Sequence, residues 1–172
     1  MTEGEPDFEA ILVSLKKEQV QFVIIGGLAA IFHGHARVTY DLDICYARDR
    51  ANLEKLARSL RELKSELRVL NSSIPFRPDW KTLEMGLNFT LLTSAGPFDI
   101  LGEVSGVGGY DKCFEGAAAG SLYGIDVFML SLSKLIYAKR AAGRPKDLDD
   151  LRALEMLQDM HKLDTESEPP PP

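Results

Sequence analysis

Residues 23–46 read V-I-I-G-G-L-A-A-I-F-H-G-H-A-R-V-T-Y-D-L-D-I-C-Y. Asp41 and Asp43 alternate with Leu42, Ile44 and Tyr46. That period of two predicts a strand over Val38–Tyr46 with both acids on one face. A rise of ~3.3 Å per residue puts their Cβ atoms about 6–7 Å apart. Two carboxylates at that spacing repel each other. A divalent cation between them relieves the repulsion and gains hard oxygen ligands, and Mg²⁺ commonly pairs one or two carboxylates with substrate phosphates and waters. The competing reading, a solvated D-x-D, has to account for the apolar residues on the other side of the same strand. Upstream, Gly26-Gly27 lies between a β-rich run, Gln21–Ile25, and a short helix expected over Leu28–Phe32. Glycines there let backbone approach a phosphate, and a helix N-terminus offers N–H groups to an anion. The pair fits neither G-x-x-x-x-G-K-[ST] nor G-x-G-x-x-G.

Outward from this stretch, the pattern predicts helices over Phe8–Val20 and over Asp49–Leu63, the latter capped by Asp49. A short edge strand is expected at Leu67–Leu70 and a loop over Asn71–Trp80. Leu87–Thr93 and Phe98–Val104 read as a hairpin around Ser94-Ala95-Gly96-Pro97, followed by irregular chain over Gly102–Gly109. Ser121–Tyr123 and Ile125–Leu130 read as a second hairpin around Gly124. Ser131 caps a helix to Ala141, and Pro145 opens another that is expected to end near Met160. These alternations predict an α/β (α+β) layered domain, a mixed sheet flanked by helices and closed by C-terminal helices. Residues 1–163 are expected to form one domain, with an acidic, proline-ended tail over 164–172 expected to be disordered.

The chain has 172 residues, 45% hydrophobic and 27% charged, with a formal net charge of −6. Broad nucleic-acid binding normally draws on a basic surface, so an RNA acceptor would need a local patch of Lys and Arg. No apolar run reaches the ~18 residues of a membrane helix. The two cysteines, Cys45 and Cys113, form no C-x-x-C pattern and argue against a disulfide framework or a zinc site. A reducing cytoplasm is the expected compartment.

Two-metal phosphoryl chemistry needs a third carboxylate. Asp99, an acid inside the apolar run F-D-I-L, is the first choice and Glu103, of the same parity, the reserve. The C-terminal third supplies cations as K-x₄-R-x₂-D-x₂-D: Lys139, Arg144, Asp147 and Asp150. Lys and Arg there can reach triphosphate oxygens, with the acids positioning them. The plain alternative is a surface salt-bridge cluster.

Taken in order, Gly26-Gly27, Asp41-x-Asp43, Asp99 and the C-terminal Lys/Arg set resemble the minimal nucleotidyltransferase superfamily, the polymerase-β-like fold, over roughly residues 8–158. The form H-G-x-x-R-x-T-x-D-x-D, here His33 to Asp43, is similar to bacterial AbiEii/MenT-like toxin nucleotidyltransferases. Many active members carry Gly-Ser where this chain has Gly26-Gly27, and their serine hydroxyl helps hold the triphosphate. The resemblance implies Asp41, Asp43 and Asp99 as catalytic metal ligands for Mg²⁺ (or Mn²⁺). It implies Gly26, Gly27, Arg37, Thr39, Lys139, Arg144 and Asp147 as contacts to an NTP. The implied reaction transfers a nucleotide from NTP to an acceptor hydroxyl on tRNA or another RNA, a protein or a small molecule. An antitoxin partner is also implied. His33 reads as a packed helix-end residue and His35 as surface. Three rivals are weighed: a binding module that kept the fold without activity, a D-x-D glycosyltransferase using Mn²⁺, and a metal-dependent nuclease. The glycosyltransferase normally needs a longer chain with a nucleotide-binding region before the acids, and the nuclease leaves Gly26-Gly27 and the Lys139/Arg144 set without a role.

Overall fold

A computed structural model describes residues 5–68 and 75–167. Among the described residues seven strands form one mixed sheet in the order β3-β4-β5-β2-β1-β7-β6. In chain order these are β1 (Phe22–Ile25), β2 (Leu42–Tyr46), β3 (Glu66–Leu67), β4 (Asn88–Thr93), β5 (Gly96–Leu101), β6 (Ala118–Leu122) and β7 (Ile125–Met129). The helices are α1 (Phe8–Lys17), α2 (Gly26–Phe32), α3 (Arg50–Glu62), α4 (Trp80–Met85), α5 (Tyr110–Phe114), α6 (Leu132–Ala142) and α7 (Leu148–Ser167), with a 3₁₀ turn at Pro145–Asp147. The expected mixed sheet flanked by helices is what the chain forms.

The centre of the sheet brings together strands far apart in sequence. β2 runs antiparallel to β1 and parallel to β5, and β1 runs parallel to β7. All four residues of β1 are buried, and in β2 only Asp43 is not. Leu42 and Ile44 of β2, Phe98 and Ile100 of β5 and Leu91 of β4 share the core with Leu12 and Leu15 of α1 and Leu53, Leu56 and Leu60 of α3. Each such side chain contributes about 1.5–3 kcal/mol on burial. Alternate residues Asp43, Asp99 and Thr90 face the other way, outside that core.

Helix starts follow local capping chemistry. The Asp49 carboxylate accepts the N–H of Asn52 at α3, and the Ser131 hydroxyl accepts that of Lys134 at α6. Both expected hairpins form, but with tighter turns: Thr93 pairs with Gly96, so Gly96 and Pro97 belong to β5 and not to the turn, and Leu122 pairs with Ile125.

Several boundaries differ from expectation. The β2 ladder begins at Leu42, not Val38. On one side β1 ends at Ile25, opposite Asp43, and turns into α2. On the other, the next residue along β5 is Pro97, which has no N–H to give. Residues 33–41 nevertheless keep the period of two: odd-numbered residues are half-buried and even-numbered ones exposed. α2 starts directly on Gly26, with no intervening turn. α1 stops at Lys17, and α7 continues to Ser167 past the expected end near Met160 because only helix-compatible residues intervene. The helices α4 and α5, of six and five residues, are too short to show a helical period and bury only Leu83 and Cys113. Half of the expected Leu67–Leu70 strand, the start of the Asn71–Trp80 loop and the last five residues of the tail lie outside the described residues.

Candidate active site

Asp43 and Asp99 are register partners in the parallel β2–β5 pair, so both project from the same face. Asp41 lies just before β2 and reaches the same place. Carboxylate oxygens of Asp41, Asp43 and Asp99 all lie within 4.8 Å of one another, each residue half-buried. Three hard oxygen donors this close form a set suited to a divalent cation. Burial, together with repulsion from Asp41 and Asp99, pushes the Asp43 carboxyl up to about 7, against the opposing pull of the Gly27 backbone N–H and of Arg37. A cation on the site would reverse that balance.

The two glycines are placed by these acids. Gly26 has φ +62°, and a Cβ on it would stand 2.2 Å from Asp43 Oδ2. The Gly27 N–H is directed at Asp43. Gly27 is buried, and a Cβ on it would stand 2.6 Å from Thr39 Oγ1. The Thr39 hydroxyl lies 3.1 Å from Asp41 Oδ1.

The C-terminal motif assembles on the other side of the cavity. Lys139 Nζ donates to Asp147 at 3.2 Å and to Asp150 at 2.9 Å. Arg144 Nε donates to Asp147 at 2.6 Å. Asp150 also accepts from Arg37 and from His35 Nε2. Side-chain exposures of 11% for Lys139 and 6% for Asp147 rule out an ordinary surface salt bridge. Burial pushes Asp147 and Asp150 up, but hydrogen bonds from Arg144 and Lys139 to the first, and from His35 and Lys139 to the second, outweigh it and hold both below the usual carboxylate range. His35, expected on the surface, has a side chain only 13% exposed and belongs to this network. His33 closes α2 as expected, its Nε2 2.8 Å from the Leu130 carbonyl.

A cavity of about 520 Å³ joins the two halves, lined by Gly26, Asp43, Asp99, Lys139 and Arg144 among others. Its apolar wall comes from Leu101, Val104, Leu135 and Ala138.

No family model and no curated protein sequence matches the chain. Solved structures do. The lincosamide antibiotic adenylyltransferase LnuA, in its lincomycin-bound form, superposes with a TM-score of 0.58 at 14% identity, covering 88% of this chain and 96% of that one. The antibiotic-resistance factor ANT(2'')-Ia, in complex with adenylyl-2''-tobramycin, gives 0.58 at 15% identity over 92% and 91%. The Thermotoga maritima protein TM1012, itself a proposed nucleotidyltransferase, gives 0.53 at 19% identity over 88% and 91%. This chain has the nucleotidyltransferase fold.

Within the nucleotidyltransferase fold, some residues at the site carried no sequence signal. Arg68, just after β3, places Nη2 3.2 and 3.3 Å from the two oxygens of Asp99. A lone arginine following a two-residue edge strand has no pattern to announce it. Asn88, Thr90 and Ser105 also line the cavity. Glu103, the reserve third acid, is exposed and lies beyond the end of β5. Among the described residues no helix is long and apolar enough to cross a membrane.

Proposed function

We propose that this protein transfers a nucleotide from an NTP to an acceptor hydroxyl. The observation that carries the reading is one cavity lined by the Asp43/Asp99 carboxylate cluster on one side and by Lys139 and Arg144 on the other. Asp41, Asp43 and Asp99 would hold Mg²⁺ or Mn²⁺, which would neutralise triphosphate charge and draw the reacting oxygens together. Asp99, at the side of the cluster nearest Thr90 and Asn88, takes the proton of the attacking hydroxyl. The acceptor oxygen bonds to the α-phosphorus as the bond to the bridging β-oxygen breaks. Lys139 and Arg144 bind the departing pyrophosphate, held in place by Asp147 and Asp150. Arg37 lends positive charge behind Asp43.

The His33-Gly34-x-x-Arg37-x-Thr39-x-Asp41-x-Asp43 pattern supports placing the chain near the AbiEii/MenT-like enzymes, with a toxin-antitoxin role in the cytoplasm. Cellular RNA and proteins therefore belong in the acceptor screen. Small molecules do too, because the fold neighbours are bound to lincomycin and to an adenylylated tobramycin. A second reading, NTP binding without transfer, draws on the engagement of both Asp99 oxygens by Arg68.

The test uses α-labelled NTPs, each in turn, with Mg²⁺ and pools of RNA, protein and small-molecule acceptors. The reading expects label transfer by the wild type and none by the Asp41→Asn/Asp43→Asn variant. Equal labelling by both sinks it. NTP binding by calorimetry without any transfer supports the second reading.

A further inference from the structure

Residues 33–41 alternate in burial but form no β-ladder, so side-chain contacts help fix what strand pairing does not. Val38 and Tyr40 point outward at 69% and 68% exposure. The inward residues carry the load. His35 and Arg37 are tied to Asp150. Thr39 ties this segment to the cluster acid Asp41, with its hydroxyl 3.1 Å from Asp41 Oδ1 and 3.2 Å from the Asp41 carbonyl.

The space for that hydroxyl comes from Gly27. Gly27 is not among the glycines of positive φ, so its backbone accepts an alanine. What excludes a side chain is the neighbour: a Cβ there would stand 2.6 Å from Thr39 Oγ1 and 2.9 Å from Thr39 Cβ. Contacts below 3.0 Å force one partner to move, and Thr39 is β-branched, with little rotamer freedom to spare.

We propose that Thr39 is a positioning residue, whose hydroxyl, seated over the bare Cα of Gly27, holds the Asp41 carboxylate in the orientation that joins it to Asp43 and Asp99 for metal binding. Asp41, outside the ladder, has no strand register of its own to aim it, whereas Asp43 and Asp99 do. The inference rests on the metal reading above. It also assigns Gly27 a role as the cavity for a threonine, independent of any contact with phosphate.

The experiment measures Mn²⁺ affinity without nucleotide, by electron paramagnetic resonance, for the wild type, Thr39→Val, Thr39→Ser, Gly27→Ala, the Gly27→Ala/Thr39→Val double variant and Asp41→Asn. Urea unfolding of each runs alongside. Thr39→Val is expected to weaken Mn²⁺ binding about tenfold, the scale of one hydrogen bond to a charged acceptor. Thr39→Ser stays within about twofold of wild type. Gly27→Ala weakens binding in the wild type and adds little in the Thr39→Val background, because both changes remove the same contact. Three results overturn the inference: Thr39→Val binding like wild type, Thr39→Ser as weak as Thr39→Val, or fully additive losses. If these occur while Asp41→Asn still abolishes binding, only the positioning role falls. If the wild type binds no Mn²⁺, the metal reading falls as well.

Discussion

Asp43 and Asp99 face each other across the parallel pair of β2 and β5, two acids in register at the centre of a sheet. The arrangement strains the electrostatics of the folded protein. Asp43 is pushed up to about 7 by burial and by its acidic neighbours. Replacing it with the neutral isostere removes both penalties. Asp43→Asn is therefore expected to raise the thermal midpoint by a few degrees at pH 8 in chelator, while transfer activity falls to background. A lower midpoint on calorimetry contradicts the assigned repulsion.

Stability should also depend on pH in two opposing ways. The raised Asp43 makes the folded state bind more protons than the unfolded one between about pH 4 and 7, so stability falls as pH rises through that window. The lowered Asp147 and Asp150 do the reverse: their contribution is present above the ordinary carboxylate range and is lost on acidification below it. In chelator the maximum should lie on the acid side of neutrality. Saturating Mg²⁺ should move it upward, with affinity rising about tenfold per pH unit up to 7 for one displaced proton. Urea midpoints from pH 3 to 9, with and without Mg²⁺, check both parts. Superimposable curves contradict the account.

Gly26 is held by two independent constraints, a φ of +62° and a Cβ position 2.2 Å from Asp43 Oδ2. Gly26→Ala is expected to cost about 1–3 kcal/mol in urea unfolding and to abolish Mn²⁺ binding. An alanine variant of native stability and metal affinity contradicts this placement of Asp43.

How much of this was written in the sequence depends on the range of the interaction that decides each feature. Local chemistry was legible. The Ser131 and Asp49 caps, the existence of the two hairpins and the common face of Asp41 and Asp43 all follow from neighbours a few residues apart. The assembly of Asp99 with that pair was only a choice among acids, because a parallel partner contacts β2 across more than fifty residues of chain. The predicted strand over Val38–Asp41 fails for a nonlocal reason: its neighbours are the start of α2 on one side and Pro97 on the other. His35 on Asp150 and Arg68 on Asp99 pair residues with no shared period, so nothing in the pattern marks them.

The cation side of the cavity makes a separable prediction. Lys139→Met removes one of the proposed donors to the leaving group and is expected to lower kcat by about 10²–10³-fold. It also removes one of the two cations from nearly buried Asp147, so unfolding should become easier by about 1–3 kcal/mol. Single-turnover rates and urea midpoints measure the two effects separately. A variant with unchanged turnover removes Lys139 from the leaving-group role.

A crystal of the protein soaked with Mn²⁺ and a non-hydrolysable NTP brings the carboxylates and the cations into one observation. The proposed reading expects anomalous manganese density within bonding distance of Asp41 and Asp43, with the triphosphate extending toward Lys139 and Arg144. Manganese away from these carboxylates, or a triphosphate bound elsewhere, contradicts it.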